Sequence, residues 1–211
     1  MTHPLGPLAA RIMAAPRKSK RRLVALAGPP GSGKSTLAEA LAGALREAGC
    51  TPQVVPMDGF HLDNRILTGL GLLDRKGAPD TFDVAGFARL MAALGDQTPV
   101  YYPVFDRTRD IAIAGAGTLD AHCDTVIVEG NYLLLDAPGW ADLSAGWDIS
   151  VRLDVPIDIL RQRLVDRWLH EGLAPAAALA RAEGNDLKNA RLVQEQSVLA
   201  DVVFDATAPY I

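Results

Sequence analysis

Residues 22–47 read RLVALAGPPGSGKSTLAEALAGALRE. Leu23–Ala27 form an apolar run of strand length, and Leu37, Leu41, Ala44 and Leu45 recur at helical spacing up to Gly49. Between them stand Gly28, Pro29, Pro30, Gly31, Ser32, Gly33, Lys34, Ser35 and Thr36, which satisfy G-x-x-x-x-G-K-[ST] from Gly28 to Ser35. A strand running in and a helix running out make successive backbone N–H groups and the helix N-terminus converge on one anionic point. The glycines let the chain wrap closely, Lys34 reaches toward the β and γ phosphates of a nucleotide, and Ser35 offers a hydroxyl to Mg²⁺. A Gly/Pro-rich turn that merely joins strand to helix is the plainer alternative; the full motif and its flanks argue against it.

Outward from this stretch, short β-branched runs alternate with helical patterns, the signature of βαβ units around a parallel sheet. Strands are expected at 52–57, 124–130, 147–155 and 200–206, and strand-like runs at 98–105 and 111–115, where Pro99 and Pro103 place the first at an edge. Asp83 caps a helix with an apolar face of Phe87, Leu90, Met91 and Leu94. Further helices run from Pro156 to about His170 and from Pro175 to about Glu183. The segment 59–82 is Gly-, Asp-, Asn- and Arg-rich and reads as a long excursion, and loops of that length usually serve a function.

With 211 residues the chain is expected to be one domain, and 49% apolar with 22% charged residues excludes a disordered one. No apolar run approaches the ~20 residues of a membrane span, and two cysteines, Cys50 and Cys123, make no disulfide framework, so a reducing cytoplasm is the expected compartment. Charge is uneven: seven Lys and Arg but no acid precede Glu39, whereas the rest has 14 basic and 25 acidic residues. Such a leader is open to reading as a transit peptide or a nucleic-acid patch. We read residues 1–22 instead as a short amphipathic helix on Leu5, Leu8, Ile12 and Met13 followed by a solvated charge run. The acidic body excludes duplex nucleic acid as the expected partner.

A phosphate loop specifies a nucleotide but not a reaction. Ligands of open parallel sheets lie beyond the carboxyl ends of the strands, where Asp58 follows VVPM and Glu129 follows VIV. An N-K-x-D guanine element and an LSGGQ-like signature are both absent from the sequence.

The motifs GPPGSGKSTLA, MDGFHLDN at 57–64, RKGAPDTFD at 75–83, PVFDR at 103–107, VIVEGNYLLLD at 126–136 and ADVVFDA at 200–206 together resemble the uridine kinase, phosphoribulokinase and bacterial pantothenate kinase family over residues 10–206. They are most similar to a subgroup labelled as fructose-transport or nucleoside/nucleotide kinases. The resemblance implies an α/β fold, a P-loop NTPase three-layer αβα sandwich with a parallel sheet core and small lid helices. It implies an ATP-dependent kinase that uses Mg²⁺ and a small-molecule acceptor with a free hydroxyl. Asp58 matches the family's proton-accepting aspartate and Glu129 the acid that holds Mg²⁺ with Ser35. Arg163 and Arg167, four apart on one helix face, match the lid arginines over the transferring phosphoryl group, within a lid at 156–184.

Departures narrow the acceptor. Gly77 stands where uridine kinases carry the acid that grips ribose, which argues against uridine. Asp106, Arg107 and Arg109, in the excursion 98–122, stand where nucleoside kinases carry Tyr and His, and become candidate acceptor contacts along with Asp58 and His61; a surface ion-pair cluster is the alternative. Asn185, Asp186 and Asn189 read either as a hinge near adenine or as helix capping. The expected acceptor is a sugar-like metabolite, with pantothenate, a nucleoside or a non-catalytic nucleotide sensor as alternatives, and a homodimer stays open.

Overall fold

The apolar run Arg22–Ala27 (β1) is buried along its whole length because it has neighbours on both sides. It pairs in parallel with Thr125–Gly130 (β5), in a register that sets Leu26 beside Glu129, and with Ile149–Asp154 (β6). Pro52–Pro56 (β2) lies outside β5 and Val202–Asp205 (β7) outside β6, giving the parallel order β2-β5-β1-β6-β7. The chain is seen here in a computed structural model that describes residues 5–207.

Helices cover both faces, which completes the three layers expected from the alternating pattern. On one face Gly6–Ala14 (α1), Lys34–Glu47 (α2) and Ile157–His170 (α5) bury Ile12, Leu37, Leu41 and Leu160 against Leu26, Ile127 and Val151. On the other, Val84–Leu94 (α4) packs Phe87 and Leu94 into an aromatic core with Phe60, Tyr102, Tyr132 and Trp140. Asp83 caps α4 as its position predicts, accepting from the Gly86 amide at 2.7 Å.

Three expectations change. Val100–Asp106 (β3) and Ile111–Leu119 (β4) do not join the central sheet but form a separate antiparallel ribbon. The excursion 59–82 folds into a 3-10 turn at Met57–Phe60, the helix Asn64–Leu70 (α3) and two further turns. The basic leader is not a solvated run throughout. Met13 is exposed as Leu8 is not, and Arg21 is fully buried, its guanidinium donating to the carbonyls of Leu94, Asp96, Thr98, Asp120 and Cys123. Arginine fits there because its planar fork has five donors to satisfy carbonyls that would otherwise be buried without partners. Residues 1–4 of the leader lie outside the described residues.

Candidate active site

The loop between β1 and α2 turns at Gly31 (φ +79°) and Gly33 (φ +89°), backbone conformations that side-chain-bearing residues rarely adopt. At Gly28 a Cβ would stand 2.9 Å from the Ser32 hydroxyl and 3.0 Å from Leu153, so the loop is also too tight for a side chain there. Lys34 Nζ donates to the Pro29 carbonyl at 3.1 Å, and the buried Ser32 hydroxyl has no hydrogen-bond partner among the described residues. A cradle of amides with a cation folded over it is what the motif predicts.

β5 lies between β1 and β2, and this brings the two strand-end acids to the cradle. Glu129, 7% exposed, accepts from the Ser35 hydroxyl at 3.0 Å although the two are 94 residues apart. A hydroxyl and a carboxylate are hard oxygen donors of the kind that suits Mg²⁺ beside nucleotide phosphates, so the pair fits the ion. Burial pushes the Glu129 carboxyl up and the Lys34 ammonium down, and each partly restores the charge of the other. Asp58 follows β2 on the 3-10 turn and faces the same cavity. Gly59 beside it has no room for a Cβ, which would fall inside the Pro103 carbonyl, so the ribbon is seated directly on the turn carrying Asp58.

A cavity of about 830 Å³ joins these groups and is lined by segments far apart in the chain, by Lys34 and Glu129 as well as Asp58, Lys76, Arg107 and Arg167. Arg107 Nη2 reaches Asp58 Oδ2 at 2.8 Å, pairing the ribbon tip with the acid. His61 also lines the cavity; its Nδ1 lies 2.7 Å from the Asp58 carbonyl and its ring sits against Phe82 and Phe105, and burial holds its pKa down. Asp106 and Arg109 are not brought into the cavity. They bond to each other at 2.8 Å in the ribbon turn, where the Arg109 amide and side chain hold the Asp106 carboxyl below the usual range. That is the surface ion-pair outcome.

The two α5 arginines part company. Arg163 donates to Ala206 and Thr207 carbonyls at 2.9 and 3.1 Å and to Ser32 O at 3.4 Å, lashing the phosphate loop to the end of β7. Arg167, one turn on, meets Asp186 Oδ2 at 3.2 Å, and its buried Nε has no hydrogen-bond partner among the described residues. Asn185 and Asp186 sit in a π-helical turn, Ala182–Asp186, between Pro175–Arg181 (α6) and Leu187–Gln196 (α7); Asp186 stands at the N-cap position of α7, but its side chain makes no capping bond. Sequence reasoning missed Lys76, although RKGAP was among the motifs quoted. Its side chain is 8% exposed and its ammonium is bonded to Asp110 and Asn64 at 2.9 and 2.7 Å, a contact spread over three segments that no spacing rule discloses.

No described helix is long and apolar enough to cross a membrane. No protein-family model matches the chain. The Escherichia coli (strain K12) protein YggC is 38% identical over 193 residues, covering 89% of this chain and 79% of its own. The Schizosaccharomyces pombe protein named "Putative uridine kinase C227.14" is 34% identical over 198 residues, 89% of this chain and 84% of its own. A crystal structure of a "putative fructose transport system kinase" from Silicibacter sp. TM1040 superposes with a TM-score of 0.92 at 56% identity, covering 95% of this chain and 98% of that one. Joined to the phosphate cradle and the two strand-end acids, these likenesses mean that the chain belongs to the P-loop kinase family of the uridine kinases, phosphoribulokinases and pantothenate kinases.

Proposed function

We propose that this ATP-dependent kinase passes the γ-phosphoryl group of ATP to a hydroxyl of a sugar-like, polyhydroxylated metabolite. The observation that carries the acceptor class is the absence of a free aromatic face among the described residues that line the acceptor half of the cavity. The Phe105 ring is covered by His61 at 4.5 Å and by the Lys76 ammonium at 5.0 Å, whereas a nucleobase needs a ring to stack on. The polar lining there includes Asn64, Asp74, Arg107, Asp110 and Asp58, groups that grip hydroxyls. Free thiols at Cys50 and Cys123 suit a reducing cytoplasm.

In this reading the acceptor hydroxyl takes the place of Arg107 on Asp58. Its oxygen bonds to the γ phosphorus as its proton passes to the Asp58 carboxylate, and the bond from that phosphorus to the β–γ bridging oxygen breaks to release ADP. Ser35 and Glu129 would hold Mg²⁺, which would supply charge neutralisation for the phosphates. Lys34 leaves the Pro29 carbonyl for those oxygens, and Arg167 meets the charge of the transferring group.

The test is ADP release over a panel of fructose, other sugars and sugar alcohols, pantothenate, uridine and pyridoxal. A sugar or sugar alcohol is expected to raise release at least tenfold over acceptor-free enzyme. Turnover with uridine or pantothenate and none with any polyol overturns the acceptor class. No rise with any of them, together with unchanged ATP binding, overturns transfer to such acceptors altogether.

A further inference from the structure

One irregular turn holds both halves of the cavity. In the π-helical turn Ala182–Asp186, Asn185 is 8% exposed, donates from Nδ2 to the Lys76 carbonyl at 2.8 Å and accepts from Asn189 at 3.3 Å. The peptide it grips is otherwise specified: the Tyr132 hydroxyl donates to the Gly77 carbonyl, the Gly77 amide to Thr81 Oγ1, and Gly77 has φ +99°. The adjacent residue, Asp186, 9% exposed, faces the other way. Its Oδ2 accepts from Arg167 at 3.2 Å and from Trp168 Nε1 at 2.6 Å, while the Trp168 ring also meets the Arg181 guanidinium at 5.3 Å. Neither Asn185 nor Asp186 has a part in the chemistry above, yet these two buried polar side chains bond to opposite walls.

We propose that the turn Ala182–Asp186 is a joint that sets the acceptor-side loop and the lid arginine relative to one another, with Asn185 and Asp186 as its positioning residues. The proposal rests on the reading of the cavity as a nucleotide and acceptor site. When phosphate charge draws Arg167 inward, Asp186 is pulled with it, because leaving a buried carboxylate behind is costly. A π turn is a local departure from helical bonding, and such turns recur where an element must adjust. Asn185 is the next residue back, so the displacement reaches Lys76–Gly77 through one hydrogen bond. Binding at either wall therefore biases the other, and by the same factor in both directions.

Hydrogen exchange on the full chain, with and without a non-hydrolysable ATP analogue and Mg²⁺, tests this without an identified acceptor. In the wild type, the analogue is expected to slow exchange at the phosphate loop, 31–37, and also to slow it roughly fivefold or more at the Lys76, Gly77 and Ala78 amides. Asn185→Ala is expected to keep the first effect and lose the second. Asn185→Asp cannot donate to Lys76 O but keeps an acceptor for Asn189, so it gives the same result in a variant with less disturbed packing. Asp186→Ala removes the acceptor that Arg167 and Trp168 share, so it cuts the other arm and carries the same expectation. If the phosphate loop is protected but residues 76–78 do not respond in the wild type, or respond equally in the variants, the joint is overturned while the nucleotide reading stands. If the analogue leaves the phosphate loop unprotected, the nucleotide reading falls, and the joint with it.

Discussion

Asp58 and Arg107 show how much one ion pair decides at the scale of residues. With Asp58 a quarter exposed and Arg107 mostly so, the pair adds little to stability, and its importance in the proposed reaction lies in what it occupies: the position the acceptor hydroxyl would take. Asp58→Asn retains size and hydrogen bonding but takes no proton, so kcat should fall roughly 10²–10⁴-fold with ATP affinity within a few-fold of wild type. Near-normal kcat with the same acceptor would remove Asp58 from the chemistry. The two α5 arginines should separate kinetically: both line the cavity, but Arg163 is held on carbonyls of the phosphate loop and the end of β7, whereas Arg167 has a buried Nε with no hydrogen-bond partner among the described residues. Arg167→Lys loses the planar fork and should lower kcat about 10–100-fold. Arg163→Lys loosens the phosphate loop from the end of β7 and should chiefly raise KM for ATP. Equal kcat losses in both would mean that both guanidiniums reach the transferring group.

At the scale of elements, the edge strand β7 depends on a side chain as much as on its ladder. Asp201, just before it, accepts from the Ser150 amide at 2.8 Å and the Ser150 hydroxyl at 2.7 Å, and these bonds hold its carboxyl below the usual range. A depressed folded value means the contribution is complete above the unfolded pKa near 4 and is lost as pH falls through the folded one. Asp201→Ala should therefore lower stability by about 1 kcal/mol at pH 7, the gap narrowing below roughly pH 4. Thermal melts at pH 7 and pH 3 check this, and a gap that widens on acidification would contradict it. The ribbon β3–β4 is likewise an element whose place is set by packing. Gly59 against Pro103, and Tyr102 reaching the Val54 carbonyl at 3.3 Å, seat it over the end of β2.

Across the whole molecule, the lower end of the fold, away from the phosphate loop, is gathered on Arg21. Its guanidinium joins the end of α4, the approach to β3 and the segment between β4 and β5, and no carboxylate neutralises it among its described partners. Lysine has three donors on a single atom and cannot reach carbonyls spread around a planar fork. Arg21→Lys should cost about 2–5 kcal/mol, seen as a drop of roughly 5–15 °C in Tm, with the ATP KM of the folded enzyme unchanged because the phosphate site lies at the far end of β1. A melting temperature within a degree or two of wild type would show that the hub is dispensable.

What the sequence determined by itself was everything carried by local spacing. The motif of Gly28 to Thr36, the strand-end positions of Asp58 and Glu129, the Asp83 cap and the alternation that makes a parallel sheet are short-range patterns, and backbone chemistry reads them the same way in any context. Tertiary structure alone decided which long-range partners those patterns meet. Arg21 looks like surface charge beside Arg22 and Lys20 until five carbonyls from distant segments surround it. Arg163 and Arg167 are equivalent by spacing and diverge only because β7 ends beside one and the turn Ala182–Asp186 beside the other. Asp106, Arg107 and Arg109 form one cluster in sequence, yet in the ribbon Arg107 meets Asp58 while the other two pair with each other. Pairings of this kind depend on the free energy of the whole packed chain, in which a buried polar group takes whichever partner the fold brings within reach.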